Sequence, residues 1–407
     1  MLPKDLRGEY RWLSSGFLLT FCSGFGQTYY IALYAGHIKS ELTLTDGAFG
    51  SLYMAGTLLS AVLLAWAGKF ADSVGARWLG AGVLVGLLVT CVLMSAVASA
   101  WMLTAVFFGL RFFGQGMCTH VAMTAMGRWF DRKRGRAVSI AALGLPLSEA
   151  LLPLTVVMIV AASGWREAWL VNAGFLLLVA VPLLVASLKH ERRKLTDTMA
   201  MQIDITVAPR RHWSRSEVLR HPLFYAVLPV VLATPFIFTA IFINQVSCVD
   251  DKGWKLSWFA ASYPAMAGMH MVAALAAGKL VDRFGARHLL ELSLLPLGFA
   301  TLLFVYVSTP WILPVAMALL GTTMGVAATT GGALWPELYG VVHLGAIRSI
   351  ATALMVVATA VAPGLVGVLM DAGVALQSQM LVMGVYCFAA SLWALFLQPG
   401  MAKVATV

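Results

Sequence analysis

Gly68-Lys69-Phe70-Ala71-Asp72-Ser73-Val74-Gly75-Ala76-Arg77 returns 210 residues later as Gly278-Lys279-Leu280-Val281-Asp282-Arg283-Phe284-Gly285-Ala286-Arg287, with six identities. A ten-residue echo at a fixed spacing marks an internal repeat. Each copy follows the second apolar run of its half of the chain. Working outward from the first copy, runs of about 20 apolar residues, enough to cross about 30 Å of hydrocarbon, lie near 12–35, 47–67, 78–98, 101–126, 137–160 and 165–188. Six more lie near 222–246, 256–279, 288–307, 310–334, 346–369 and 375–397. Between the sets runs the longest polar stretch, 189–221, with Glu191-Arg192-Arg193-Lys194 and Arg210-Arg211-His212. The expected architecture is an all-α membrane protein of twelve transmembrane helices in two six-helix bundles, 1–188 and 222–407, joined by a linker at 189–221.

Composition agrees with a bilayer rather than water as solvent. Of the 407 residues 60% are hydrophobic and 11% charged, with a mean hydropathy of +0.85, against about 25% charged in soluble domains. Lys and Arg concentrate in cytoplasmic loops. With both termini inside, 23 basic residues lie on the cytoplasmic side, Lys39, Arg166, Lys252 and Lys255 lie opposite, and Arg111 is left within a span. The net charge of +10 then faces anionic lipid headgroups, and no nucleic-acid partner is expected. The apolar run after Met1 to Arg11 is longer than a signal h-region and reads as an uncleaved first helix. None of the five cysteines forms a C-x-x-C pair, and no His-Glu-x-x-His, Gly-x-Ser-x-Gly or P-loop pattern occurs. These absences leave no sequence support for a metal site, a cofactor or an enzyme.

The repeated Gly-x-x-x-Asp-x-x-Gly-x-Arg signature, between spans 2 and 3 and again between spans 8 and 9, resembles that of the major facilitator superfamily. The resemblance covers essentially the whole chain. It implies alternating access about a central site, which parallel six-helix repeats build. Gly68, Asp72, Gly75 and Arg77, with Gly278, Asp282, Gly285 and Arg287, are the gating candidates. The glycines allow tight turns, and each aspartate can pair with a cation or cap a helix N-terminus in one conformation and release it in the other.

Of 46 charged side chains, Arg111 and Glu149 alone fall near the middle of apolar spans. A charge at that depth costs roughly 2.5–3.5 kcal/mol on insertion scales, so it is retained where it is paired or lines a polar cavity. Arg111-Phe112-Phe113-Gly114-Gln115-Gly116 is similar to the superfamily's fourth-span arginine motif. Gly144-Leu145-Pro146-Leu147-Ser148-Glu149 is similar to a fifth-span motif of a bent helix. Counted inward from Trp101 and Val160, both charges lie roughly 15 Å deep at 1.5 Å per residue, so a direct pair is expected. Opening and closing such a pair can load and release a proton, which makes Glu149 and Arg111 the proton-coupling candidates; a permanent ion pair locking two helices is the structural alternative. His270 in span 8 and His120 in span 4 are candidates for substrate binding through imidazole. Gln27, Tyr29 and Tyr30 in span 1 and Asn244 and Gln245 in span 7 join them, because the superfamily lines its cavity with these helices. Gly82-x-x-x-Gly86 and Gly321-x-x-x-Gly325 read as close helix packing. Most tryptophans, Trp101 and Trp311 among them, read as interfacial belts.

Arg128-Trp129-Phe130 to Ile140, with Gly114-Gln115-Gly116, resembles the monocarboxylate and oxalate–formate exchanger branch. That branch holds its substrate carboxylate with a cation in span 8, whereas Met269-His270-Met271-Val272-Ala273-Ala274-Leu275 contains neither Arg nor Lys. The expected function is secondary transport of a small polar or anionic organic solute, coupled to protons, by a monomer in a bacterial inner membrane. Export of amphipathic compounds is the second reading, and a transporter-like sensor without turnover the third.

Overall fold

The computed structural model describes residues 9–67, 70, 74–130, 134–189, 213–340 and 343–406. Gly68 and Asp72 lie outside the described residues, as does most of the 189–221 stretch. The chain divides into two compact units, Met1–Met201 and Gln202–Val407. Among the described residues the regular structure is wholly helical.

In the first unit span 2 is Asp46–Ala67, span 3 Ala76–Ser95, span 5 Arg134–Ala142 with Gly144–Ser163, and span 6 the run from Trp165 to Ser187. The second unit carries span 7 at Pro222–Ile243, span 8 at Leu256–Phe284, span 9 at Ala286–Leu292 with Leu295–Tyr306, span 10 at Leu313–Tyr339, span 11 at Leu344–Asp371 and span 12 at Leu376–Thr406. Ten such stretches among the described residues are long and apolar enough to cross a membrane. Their outward faces are apolar too: Val62, Leu178 and Leu275 are each more than 70% exposed, which suits contact with lipid tails. Trp101 and Trp311 stand almost fully exposed at helix starts, as interfacial tryptophans do.

Spans 1 and 4 differ from expectation, because neither is a continuous α-helix; span 6 likewise turns π-helical at Leu176–Ala180. Span 1 runs as Tyr10–Cys22, a tight turn of 3-10 helix at Ser23–Gly26, an extended Gln27 and a new helical turn at Thr28–Ile31. Span 4 is α-helical at Ala100–Gly109 and Thr119–Trp129 but π-helical at Leu110–Cys118. The two irregular segments cross. A Cβ on Gly26 would collide with backbone at Leu110, Gln115 and Gly114, and one on Gly114 would meet the Gly26 backbone. Backbones this close leave room for glycine alone. Such irregular backbone is tolerated at membrane depth only where protein or a polar cavity surrounds it.

Spans 8 and 10 approach as closely in the second unit, where Gly321 and Gly325 sit against the Met266 and His270 backbone. Gly82, by contrast, faces nothing within 4 Å. Span 7 contains Pro229 and Pro235. Span 12 supports it by hydrogen bonds from Trp393 Nε1 to the Ala226 carbonyl (2.9 Å) and from the Tyr386 hydroxyl to the Pro229 carbonyl (3.0 Å).

Both units tie off the end opposite the 189–221 stretch with a cation on helix-terminal carbonyls, a favourable place for positive charge. Arg166 donates to the Ser95 and Val97 carbonyls (2.5 and 2.6 Å) and pairs with Glu41 at 2.6 Å. Lys252 donates to the Val305 and Val307 carbonyls (3.0 and 3.3 Å).

Candidate functional site

Arg111 sits on the first turn of the π segment, only 2% exposed. Its Nη1 donates to the Gly26 carbonyl and to Thr28 Oγ1, both at 3.3 Å. The guanidinium carbon lies 5.5 Å from the Tyr53 ring centroid, within cation–π range. Thr28 and Tyr53 are themselves hydrogen-bonded at 2.7 Å. The break in span 1 explains the arrangement, since a continuous helix would have consumed the Gly26 carbonyl internally. The Nε donor of Arg111 has no hydrogen-bond partner, so the guanidinium keeps an N–H for an incoming acceptor.

Glu149, also 2% exposed, lies on Gly144–Ser163 next to Ser148, whose Oγ is 3.0 Å from the Tyr29 hydroxyl. Sequence reading expected Arg111 and Glu149 to touch. The guanidinium contacts Gly26, Thr28 and Tyr53, and the hydroxyl of Ser148, the residue before Glu149, meets Tyr29 in the same part of span 1. Gln27 supplies the extended residue of that break and is half-buried. Tyr30 is turned away into a fully buried ring cluster with Tyr34 and Trp169, its centroid 5.6 Å from each. His120 is exposed on the last segment of span 4.

The second unit holds its own polar pair. Gln245 Oε1 accepts a 2.7 Å hydrogen bond from the Tyr263 hydroxyl, both side chains fully buried. Asn244 spends its Nδ2 on the Ala240 carbonyl at 2.9 Å. His270 is half-buried in span 8, facing the glycine pair of span 10 through its backbone. Among the described residues no group of three or more His, Cys, Asp and Glu could hold a metal ion.

At the second copy of the repeat the carboxylate at work is Glu337, which the sequence reading did not single out. Its Oε2 accepts from the Ala286 backbone N–H at 2.5 Å, capping span 9, and its Oε1 lies 3.7 Å from Arg287 Nε. Gly285 adopts φ +86, and a Cβ there would strain the backbone and meet Glu337 Oε1 at 2.9 Å. Asp282 is exposed one turn earlier, and Gly278 faces nothing within 4 Å. In the first copy Gly75 has φ −60 and ψ 140, which any residue adopts. Arg77 lies 5.0 Å from the Trp78 ring. At the second glycine of the pattern, Gly75 and Gly285, the two copies differ in backbone conformation.

A family model described as Major Facilitator Superfamily matches residues 16–275 and 253–405. No curated protein matches the chain by sequence. Among solved structures, a bacterial homolog of the human lysosomal transporter Spinster, inward-facing and occupied, is similar with a TM-score of 0.73 at 14% identity, covering 99% of this chain and 98% of that one. The inward-facing unoccupied form gives 0.70 at 14% identity, over 100% and 98%. The nucleoside transporter NupG gives 0.72 at 12% identity, over 95% and 99%. At such identities the likeness shows the fold alone. With most of its length matched by the family model and its helices arranged in the same fold, the chain belongs to the major facilitator superfamily of membrane transporters.

Proposed function

We propose that this protein is a proton-coupled secondary active transporter that moves a small polar or anionic organic solute, a monocarboxylate being the simplest, by alternating access. The halves 1–188 and 222–407, with the cytoplasmic linker 189–221, form one monomer in the cell membrane, both termini inside. Support comes chiefly from Arg111: a buried guanidinium held at the break of span 1 with Nε free of hydrogen bonds suits a substrate carboxylate or another anionic acceptor. Glu149, buried on Gly144–Ser163 beside Ser148, whose hydroxyl meets Tyr29 of span 1, is the group that exchanges the coupling proton. Gln27, Tyr29 and Thr28 line the break and are placed to contact polar substrate atoms. The repeat turns act in gating, through Asp72 in the first half and through Glu337, Gly285 and Arg287 in the second.

Proteoliposomes containing the protein and offered labelled formate, lactate and oxalate test this reading. Wild type should accumulate at least one of them under an inward proton gradient. Glu149→Gln should exchange the same solute without accumulating it. Accumulation by Glu149→Gln with an unchanged proton requirement would remove the coupling role, and wild-type failure on all three would remove the small-carboxylate reading.

A further inference from the structure

Outside the polar site the second unit carries a groove of about 720 Å³ bordered by spans 7, 11 and 12, lined almost wholly by apolar side chains such as Leu232, Phe236, Leu365 and Val382. It follows span 7 from Tyr225 to Ile237, a rise of about 18 Å and so more than half the hydrocarbon thickness. Leu365 and Val382 are strongly exposed, so the groove opens outward, where the medium is lipid.

Its two ends differ in charge. At the end next to the 189–221 stretch the Tyr225 hydroxyl donates to the Leu219 carbonyl at 2.9 Å, which joins the groove to the short helix Arg215–Arg220. Val218 anchors that helix by burial, and Arg215 and Arg220 are exposed on it. Its one carboxylate, Glu217, accepts from Ser214 N and Oγ at 2.7 and 2.8 Å and is engaged in capping. The other end carries Asp371, exposed at the last residue of span 11, near the lining residues Val374 and Ser378. A ligand fitted to this surface has a long apolar body and an anionic head, with the head at the arginine end.

We infer that the groove between spans 7, 11 and 12 binds an anionic glycerophospholipid of the surrounding bilayer, one acyl chain in the groove and the phosphate at Arg215 and Arg220. Clustered basic residues at the ends of membrane helices attract such headgroups, each arginine contributing about a fivefold preference over a zwitterionic lipid.

The test uses the full-length protein in detergent with phosphatidylglycerol carrying a photoactivatable diazirine in one acyl chain, competed by unlabelled phosphatidylglycerol or by phosphatidylcholine of the same chains. Crosslinks should concentrate in peptides covering 228–237 and 378–386, and phosphatidylglycerol should compete at least tenfold better than phosphatidylcholine. In the Arg215→Gln, Arg220→Gln double variant, whose changes are on exposed side chains, labelling should persist while the two competitors become equal within about threefold. Ala358→Phe should fill the groove and remove the label, with Leu365→Trp as a second filling variant should the first not yield monodisperse protein. Labelling spread evenly over all spans, equal competition by the two lipids in wild type, or an undiminished phosphatidylglycerol preference in the double variant would each overturn the assignment.

Discussion

Replacing Gly26 by alanine adds one methyl group at the crossing of spans 1 and 4, and the structure leaves it nowhere to go. The new Cβ would overlap the Leu110 carbonyl and stand 2.6 Å from Gln115 N and 2.8 Å from Gly114 Cα. All three are backbone atoms, so no side-chain rotation relieves the clash and the spans must separate. Overpacking of an ordinary core costs typically 1–3 kcal/mol, with neighbouring side chains sharing the adjustment. Here the cost should reach about 3 kcal/mol or more, roughly a hundredfold in the folding equilibrium. The same separation lengthens the 3.3 Å bond from Arg111 Nη1 to the Gly26 carbonyl, so substrate handling should fail even in molecules that remain folded. Gly82→Ala is the control, since nothing lies within 4 Å of its Cβ and alanine is favoured in helices by about 0.5–1 kcal/mol. The assay is the fraction of monodisperse protein surviving a ten-minute heat step across a temperature series, together with solute uptake. Gly26→Ala should inactivate at clearly lower temperature than wild type, and Gly82→Ala at the same or a higher one. Matching curves for the two variants would refute the claim that the crossing is set by backbone contact.

Glu337→Ala should destabilise the protein by about 0.5–2 kcal/mol, the range for losing a helix cap, whereas Asp282→Asn should stay within about 0.5 kcal/mol of wild type; denaturant midpoints in detergent compare them. Hydrogen bonds from Arg166 and then Trp165 hold the Glu41 carboxyl below the usual carboxylate range. A depressed folded value means that the bridge stabilises above the ordinary carboxylate range and that its contribution is lost as pH falls through the folded value. Thermal midpoints should therefore drop on acidification by more in wild type than in Glu41→Gln, and equal drops would count against the bridge. A single cysteine introduced in 189–221 should resist a membrane-impermeant thiol reagent in intact cells and react after permeabilisation, as the cytoplasmic assignment of the linker requires.

Apolar run length and the Gly68–Arg77 echo were enough to read the helical class and the family, because both are properties of composition and spacing. The interruption of spans 1 and 4 was not legible. Ser23-Gly24-Phe25-Gly26 and Arg111-Phe112-Phe113-Gly114 sit inside runs long and apolar enough overall to read as unbroken spans, and what accompanies the breaks is the crossing of two backbones distant in sequence. Arg111 and Glu149 stood out because a buried charge is rare. Their surroundings did not, since equal depth along two helices fixes height and leaves direction open. Tyr53 and Thr28 could have been weighed as single polar groups in span 2 and beside Gln27. Tyr263 carried a similar signal in span 8, whereas Tyr30 met every sequence criterion and belongs to a ring cluster. Glu337 was obscured by the repeat itself, which drew attention to the aspartate inside the signature and away from an acid contributed by span 10.

The carbonyl-capping cations bear on how the chain presents itself to the bilayer. Of the four basic residues at the end opposite 189–221, Arg166 and Lys252 bond helix-terminal carbonyls and Lys39 pairs with Asp46 at 2.5 Å. Lys255 is exposed there. Positive charge committed to backbone carbonyls and carboxylates contributes little to the electrostatic potential felt by a lipid surface. Among the described residues, this end therefore offers a lipid surface less positive charge than its four basic residues suggest. Anionic headgroups facing this end would meet cations already spent on the chain's own backbone, so the pull between them would be weak whatever the sequence count implies.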